Sequence, residues 1–336
     1  MQLKNRRHPA FPRLNMPEQP RYTPLRVAIC IATFRRPELL RKLLVGVSEL
    51  AFRKVRVPEI SVVVVDNDSS RSAEQVCGAI LLPWPKKYVV EPRRGIARVR
   101  NTAVSEAGNV QFIAFLDDDE VPDPFWLDEL LATQSQFEAD VVAGPVLTDF
   151  ASDVPNWVRA GRFFDRITFT TGHSMDKCST NNVLIRREVF DSVPSFNEDF
   201  ELTGADDTHF FMRVNRAGYR IVWAQDARVH EAISKTRANF AWLLRRGYRL
   251  GNSWSLCELS LDSRFATRLV RAAKAFAWMA KGLALLALSA FQGKTAVVWA
   301  LRTVCYGAGQ LSGLAGHKYQ EYRSAGTLEE YVGAGL

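Results

Sequence analysis

The sequence lacks several features that would quickly place a chain of this length. Its five cysteines, Cys30, Cys77, Cys178, Cys257 and Cys305, are odd in number, widely spaced and without a C-x-x-C pair. That argues against a disulfide framework or a zinc site and fits a reducing, cytoplasmic setting. Neither a Gly-rich dinucleotide fingerprint nor a P-loop follows the first apolar run, and no internal repeat or low-complexity tract is present. The uncharged runs of the C-terminal part, Gly282 to Gly293 and Thr303 to Gly316, fall short of the roughly 18 apolar residues of a membrane span. The first 25 residues carry charge and several prolines but no apolar h-region, so they are expected to be a flexible basic tail rather than a secretory signal or a helix.

What is present is a globular composition. With 336 residues, 47% of them apolar and 24% charged, the chain can bury one large core and carry an appendage. The net charge of +8 is concentrated at the ends. Residues 1 to 26 hold six Lys and Arg against one Glu, residues 264 to 323 hold nine against one, and the body from 27 to 263 is net −3. A nucleic-acid enzyme would be expected to concentrate basic and aromatic residues around its cleft, so nucleic acid is not the expected partner. Cationic ends point instead to an anionic membrane surface. Arg264, Arg268, Arg271, Lys274 and Lys281 share roughly one side of a helical wheel, the pattern of an amphipathic helix lying on a membrane.

From residue 27 the chain alternates strand-like and helix-like segments. VAICIATF (27 to 34), ISVVVVDN (60 to 67), KYVV (87 to 90), FIAFLD (112 to 117) and DVVAGPVL (140 to 147) have the length and β-branching of buried strands. PELLRKLLVGVSEL and GIARVRNTAVSEAG carry apolar residues at helical spacing, the first with Pro37 where a helix tolerates it. A further helix is expected through DDTHFFMRVNRAG, stopping at Gly218, followed by a strand in YRIVWA. Such alternation predicts a mainly parallel sheet flanked by helices, with ligands at the carboxyl ends of the strands. Those ends read ATFRRP, DND, EPRRG and DDDE.

Asp117 and Asp119 stand two apart at a strand end, so they point the same way if the strand continues. Two convergent hard oxygen ligands suit Mg²⁺ or Mn²⁺, with water and phosphate oxygens completing the shell. The alternative is an exposed acidic turn that caps the next helix. Asp66, which also ends a predicted strand along the same sheet edge, favours the metal site.

The stretches IATFRRPELLRKLL, VVVVDNDS, RGIARVRNTAV, FLDDDEVPDPFWL and TGADDTHFFMRVNRAGYRI occur in an order that resembles the inverting glycosyltransferases of family 2. The later stretch RVHEAISKTRANFAWLLRRGYRLGNSWS is similar to the bacterial branch containing succinoglycan-type exopolysaccharide glucosyltransferases. The resemblance covers about residues 25 to 255. It implies a GT-A fold over residues 26 to 255, with 256 to 336 as a helical, basic, membrane-associating region.

The resemblance also implies site roles. Asp66 would hold the uracil or ribose of a nucleotide sugar, and the turn from Thr33 to Arg35 would line the same pocket. Arg94, Arg98 and Arg100 are candidates for the nucleotide or its diphosphate, or for pairing with the acidic cluster. Asp117 and Asp119 match the metal-binding D-x-D, with Asp119 the closer metal contact. Asp207 matches the base of the family's Glu-Asp pair, and Asp206 stands where Glu is usual, which leaves the choice of base open. His230 would reach the metal or diphosphate, or make a structural hydrogen bond. His209 is expected to be a helix residue without a site role. Arg245 and Arg246 are candidates for a diphosphate or lipid phosphate, or for a solvated helix face.

The expected protein is a Mg²⁺- or Mn²⁺-dependent inverting glycosyltransferase at the cytoplasmic face of the inner membrane. It would move a hexose from a UDP-sugar to a growing polyprenyl-linked glycan. The alternatives are a nucleotidyltransferase that makes nucleotide sugars and a peripheral membrane scaffold with a decayed site.

Overall fold

The structure, a computed structural model, describes residues 24 to 320. The expected N-terminal tail therefore lies almost wholly outside the described residues, as do the last sixteen positions.

The predicted alternation is present. Strand β1 (Arg26–Thr33) is followed by helix α1 (Pro37–Ser48), β2 (Glu59–Asp66), α2 (Glu74–Ala79), β3 (Lys86–Val90), α3 (Ile96–Glu106) and β4 (Phe112–Asp117). Then come β5 (Glu120–Pro122), α4 (Trp126–Phe137), β6 (Val141–Ala143), β7 (Val146–Phe150), α5 (Asn156–Ala160), β8 (Ser174–Met175), β9 (Asn182–Arg186) and α6 (Arg187–Ser192). The chain continues through α7 (Asp206–Arg216), β10 (Ile221–Trp223) and β11 (Val229–Ile233) to α8 (Phe240–Leu261), α9 (Phe265–Leu288) and α10 (Lys294–Leu314).

The main sheet has the order β3-β2-β1-β4-β9-β6-β10-β8. Strands β3, β2, β1 and β4 run parallel, and β9 lies antiparallel to both β4 and β6. Strands β2, β1 and β4 are buried on both faces, as their near-continuous apolar runs require. One apolar cluster packs α1 and α4 on one side of the sheet, and another packs α3 and α7 on the other. Strand order reverses between β1 and β4, so a crevice opens beyond Thr33 and Asp117.

The expected strand at 140 to 147 is two strands. Pro145 has no N–H for a ladder, and Gly144 approaches Ala227 so closely that a Cβ would lie 2.2 Å from its carbonyl oxygen. The chain leaves the main sheet there, and β7 joins a second sheet of order β5-β11-β7. Asn182 secures the crossing by donating to the carbonyls of Pro145 (2.9 Å) and Ala227 (2.7 Å) and accepting from Trp126 Nε1 (2.7 Å).

The expected boundary at 255 and 256 falls inside α8, which runs unbroken to Leu261. Helix α10 packs along both α8 and α9, and its glycines permit the approach. A Cβ on Gly309 would meet the Tyr248 carbonyl at 2.0 Å, and one on Gly307 would meet the Ala275 carbonyl at 2.7 Å. Leu243 and Val298 share a core with Val158, Phe163 and Ile233, so the helices are fused to the small sheet. No helix among the described residues is long and apolar enough to cross a membrane.

Candidate active site

The carboxyl ends of β1 and β4 gather the acids, but each acid has a different job. Asp118 is buried and accepts from Thr33 Oγ1 (2.9 Å) and from Arg36 Nη1 (3.2 Å). Burial pushes its carboxyl up to about 6 against the opposing pull of Arg36. Thr33 thus holds the acidic turn and does not line an open pocket. Glu120, also buried, accepts the Asp117 backbone N–H (3.0 Å). Burial first, and then Asp117 and Asp119, push its carboxyl well above the usual range.

That leaves Asp117 and Asp119. The Asp117 side chain is 37% exposed and takes one contact from Arg100, Nη2 to Oδ1 at 3.3 Å. Asp119 Oδ2 is met by Arg237 Nη1 at 3.1 Å and by Arg36 Nη1 at 3.5 Å. Arg237 turns its other nitrogen to Glu231 (2.6 Å), and Arg166 reaches the second oxygen of Glu231 at 2.8 Å. Burial alone would raise the Glu231 carboxyl, but Arg237 and Arg166 outweigh it and hold it below the usual range. Guanidinium charge therefore already neutralises Asp119. Arg36, Arg166, Glu231 and Arg237 went unread in the sequence, where only FRRP and the residue following His230 offered a hint.

The pair on α7 separates cleanly. Asp206 is wholly enclosed, and Arg100 Nη1 meets its Oδ2 at 2.6 Å. Asp207, one residue on, is partly exposed, and no cation is paired with it among the described ion pairs. Burial and then the neighbouring Asp206 raise its carboxyl, with Arg100 opposing. It lies close enough to Asp117 for the two charges to repel. Arg100 is therefore a brace between the end of β4 and the start of α7, the pairing with the acidic cluster that was the alternative to a nucleotide contact.

Three other expected contacts are internal. Asp66 is fully buried and accepts from the Asp68 and Ala73 N–H groups (3.0 and 2.9 Å) and from the Tyr88 hydroxyl (2.8 Å). Arg98 is paired with Glu201 (2.6 Å) and Glu198 (2.8 Å). His230 lies between Asp149 (3.1 Å) and Asp123 (3.2 Å), on the wall of a cleft of about 350 Å³ that it shares with Asp119 and Lys42. His209 is buried against Phe200, with ring centroids 4.6 Å apart, as expected of a residue with no site role. Arg246 packs over Trp242 and Phe164, so it does not lie on a solvated face.

Arg35 and Arg94 remain exposed. Both stack on Phe34, at 5.0 and 3.5 Å from its ring, and Arg35 also pairs with Asp68 (3.0 Å). Arg35 adopts a left-handed backbone, φ 51°, at the mouth of the β1 end. Between them they place two cations and an aromatic ring beside the crevice.

Among the described residues no group of three or more His, Cys, Asp and Glu side chains forms a ready-made metal site. The donor set still fits Mg²⁺ or Mn²⁺, which commonly take one or two carboxylates and leave the rest of the shell to water and phosphate. Asp117 and Asp119 supply two hard oxygens, and the guanidinium groups on Asp119 mark where positive charge is accepted.

The sequence matches the glycosyl transferase family 2 model over residues 28–193 and the glycosyl transferase family group 2 model over residues 112–310. It is 32% identical over 312 residues to the succinoglycan biosynthesis protein ExoM of Rhizobium meliloti (strain 1021), covering 90% of this chain and 96% of that one. It is 26% identical over 254 residues to the glycosyltransferase AglE of Haloferax volcanii, covering 72% and 79%. Among solved structures it resembles the mannosyltransferase PcManGT of Pyrobaculum calidifontis, crystallised with GDP-Man and Mn²⁺, at a TM-score of 0.59 and 20% identity over 88% of both chains. The parallel sheet, the crevice at its switch point and these matches agree: the chain belongs to glycosyltransferase family 2, has the GT-A fold, and is a glycosyltransferase.

Proposed function

We propose that the chain transfers a hexose, with inversion, from a UDP-sugar to a growing polyprenyl-linked glycan of an exopolysaccharide or another cell-surface polymer. The observation that carries this reading is the division of labour among the carboxylates. Asp206 is locked to Arg100, and Asp207 is left beside Asp117 without a cationic partner among the described ion pairs. The likeness to ExoM supports an exopolysaccharide product.

In this reading Asp117 and Asp119 would hold Mg²⁺ or Mn²⁺, which would supply positive charge to the departing diphosphate. The acceptor hydroxyl oxygen bonds to the anomeric carbon as the bond from that carbon to the phosphate oxygen breaks. Asp207 takes the hydroxyl proton, and a carboxyl raised by burial is better matched to that task than one with an ordinary pKa. Arg35, Arg94 and Phe34 receive the nucleotide. Arg100 fixes the spacing between Asp117 and the helix that carries Asp207.

Turnover of a panel of UDP- and GDP-sugars, with Mn²⁺ and with a chelator, against a short prenyl-diphosphate glycan tests the proposal. Metal-dependent transfer from a UDP-hexose with inverted product stereochemistry is expected. Retention of configuration, or a donor other than a UDP-sugar, would overturn the corresponding part.

A further inference from the structure

Of the five cations that share one side of the wheel, Arg268, Lys274 and Lys281 stand in solvent. Arg271 is turned inward to Glu258 on α8, and Arg264 is paired with Asp262 (2.6 Å). Ala275 and Gly282 lie buried against α10, where a Cβ on Gly282 would come within 2.6 Å of Val304. The rest of the helix surface carries large apolar side chains into solvent. Phe265 is 79% exposed, Phe276 60%, Leu283 56% and, just beyond the helix, Phe291 98%. Leu269 is exposed too, and the spacing of 265, 269, 276 and 283 keeps these residues on one stripe. Val270 and Leu288 are exposed farther round the helix, and Lys274 and Lys281 stand in solvent beyond them, at the far edge of the outer face from the stripe.

A soluble chain does not ordinarily leave a row of this kind uncovered. The charge around it says what covers it. Residues 264 to 320 contain eight Lys and Arg and no Asp or Glu, so two copies placed face to face would repel. A surface that is both apolar and anionic satisfies both features. We infer that the outer face of α9, from Phe265 to Phe291, docks on an anionic lipid bilayer, with Phe265, Leu269, Phe276, Leu283 and Phe291 entering the acyl boundary and Lys274 and Lys281 meeting headgroups.

The docking face has a fixed relation to the site. Beyond Phe291 the chain turns into α10, where Lys294 lies over the Trp157 ring (4.4 Å), Thr295 donates to the Trp157 carbonyl (3.3 Å) and Trp299 Nε1 donates to the Gly161 carbonyl (2.8 Å). Five residues after Gly161, Arg166 holds Glu231, which in turn holds the arginine on Asp119. The Phe291 corner of the docking face is thus tied to the wall of the acidic crevice. This inference stands on the exposure of α9 and holds whether or not the acceptor is lipid-linked.

Co-sedimentation of the full chain with vesicles of phosphatidylcholine, with and without phosphatidylglycerol, tests it. Binding should require the anionic lipid. Phe276→Ser with Leu283→Ser should weaken it by about a hundred-fold or more, since each takes one exposed apolar side chain away from the lipid contact, and Lys274→Gln or Lys281→Gln by about five-fold each. The double serine variant should keep its melting temperature and its turnover of a nucleotide sugar in solution. Equal binding by wild type and the double variant, or no binding by either, would overturn the assignment. So would a wild-type dimer in sedimentation velocity that the double variant dissociates.

Discussion

The contrast between Asp206 and Asp207 can be tested with two substitutions of identical chemistry. Asp206→Asn removes the charge that faces Arg100 at 2.6 Å in a site closed to solvent. Arg100 would keep the longer contact to Asp117, 3.3 Å, to a carboxylate that is itself partly exposed. Removing one partner of a buried ion pair costs about 3–5 kcal/mol, and because asparagine retains one acceptor oxygen the lower end, about 3 kcal/mol, applies. For a domain of this size that corresponds to a fall in melting temperature of roughly 6–12 °C. Asp207→Asn should behave oppositely. Its carboxyl is raised in the folded state, so the ionised form present at neutral pH opposes folding, and removing that charge should leave the melting temperature equal or slightly higher.

Function should split the other way. Asp207→Asn should keep Mn²⁺-dependent UDP binding and lose transfer by roughly 10² to 10⁴, the range supplied by a positioned general base. Any activity lost by Asp206→Asn should follow its loss of folded protein and recover on cooling. Differential scanning calorimetry, transfer rates and calorimetric UDP titration on the two proteins decide the matter. An Asp206→Asn protein that melts with wild type yet is inactive, beside an active Asp207→Asn, would show that Asp206 is the base and that the Arg100 pair is not structural.

Three further outcomes follow from other parts of the molecule. Arg237→Met removes the closest cation from Asp119, so Mn²⁺ should bind the nucleotide-free protein several-fold more tightly, and an unchanged affinity by titration would mean that Arg237 does not compete for that carboxylate. Burial lowers the His209 pKa to about 4, so the folded state binds its proton less readily than the unfolded chain does. Stability should therefore decline by about 3 kcal/mol as pH falls from 6.5 towards 4, and His209→Phe should flatten that decline in melts across pH 4–7. A Cβ at Gly309 would lie 2.0 Å from the Tyr248 carbonyl, so Gly309→Ala should force α8 and α10 apart and cost on the order of 1–3 kcal/mol or more, measured by urea unfolding.

The strands and helices that frame the crevice were legible because they are periodic. The runs that form β1, β2 and β4 are continuous Val, Ile and Ala stretches that only a two-sided sheet can bury, and α1, α3 and α7 carry apolar stripes at helical spacing. The acids at the strand ends were legible for the same reason, since an acid after such a run marks the sheet edge. Their partners were not. Arg237 meets Asp119 from 118 positions away, and Asp206 meets Arg100 from 106. A charge in sequence looks the same whether it faces a ligand, a buried counter-charge or water. Arg98 and Arg100 stand two positions apart on α3, about half a turn, yet one is tied to the 198–201 turn and the other braces β4 against α7.

The C-terminal helices show the same limit in another form. A helical wheel places Arg264, Arg271 and Lys274 together, but it cannot show which side α10 covers. Glycines on α10 bring its backbone against Tyr248 and Ala275, and that approach decides the buried side of α9. Once it is fixed, Arg271 must face Glu258, and the remaining arc, apolar and lacking any acid, must face outward. The cationic helix expected from sequence is therefore real in composition, with Arg271 alone turned inward, and the inferred docking face joins exposed apolar side chains to Lys274 and Lys281 at its edge. Salt can separate these two arrangements. A purely cationic face would release vesicles as salt rises, because each exposed charge is screened within about 8 Å at physiological ionic strength. An apolar face with two lysines at its edge should lose only part of its affinity between about 0.1 and 1 M NaCl, as vesicle co-sedimentation would show. Complete release by 1 M salt would return the contact to the charges and refute the apolar orientation.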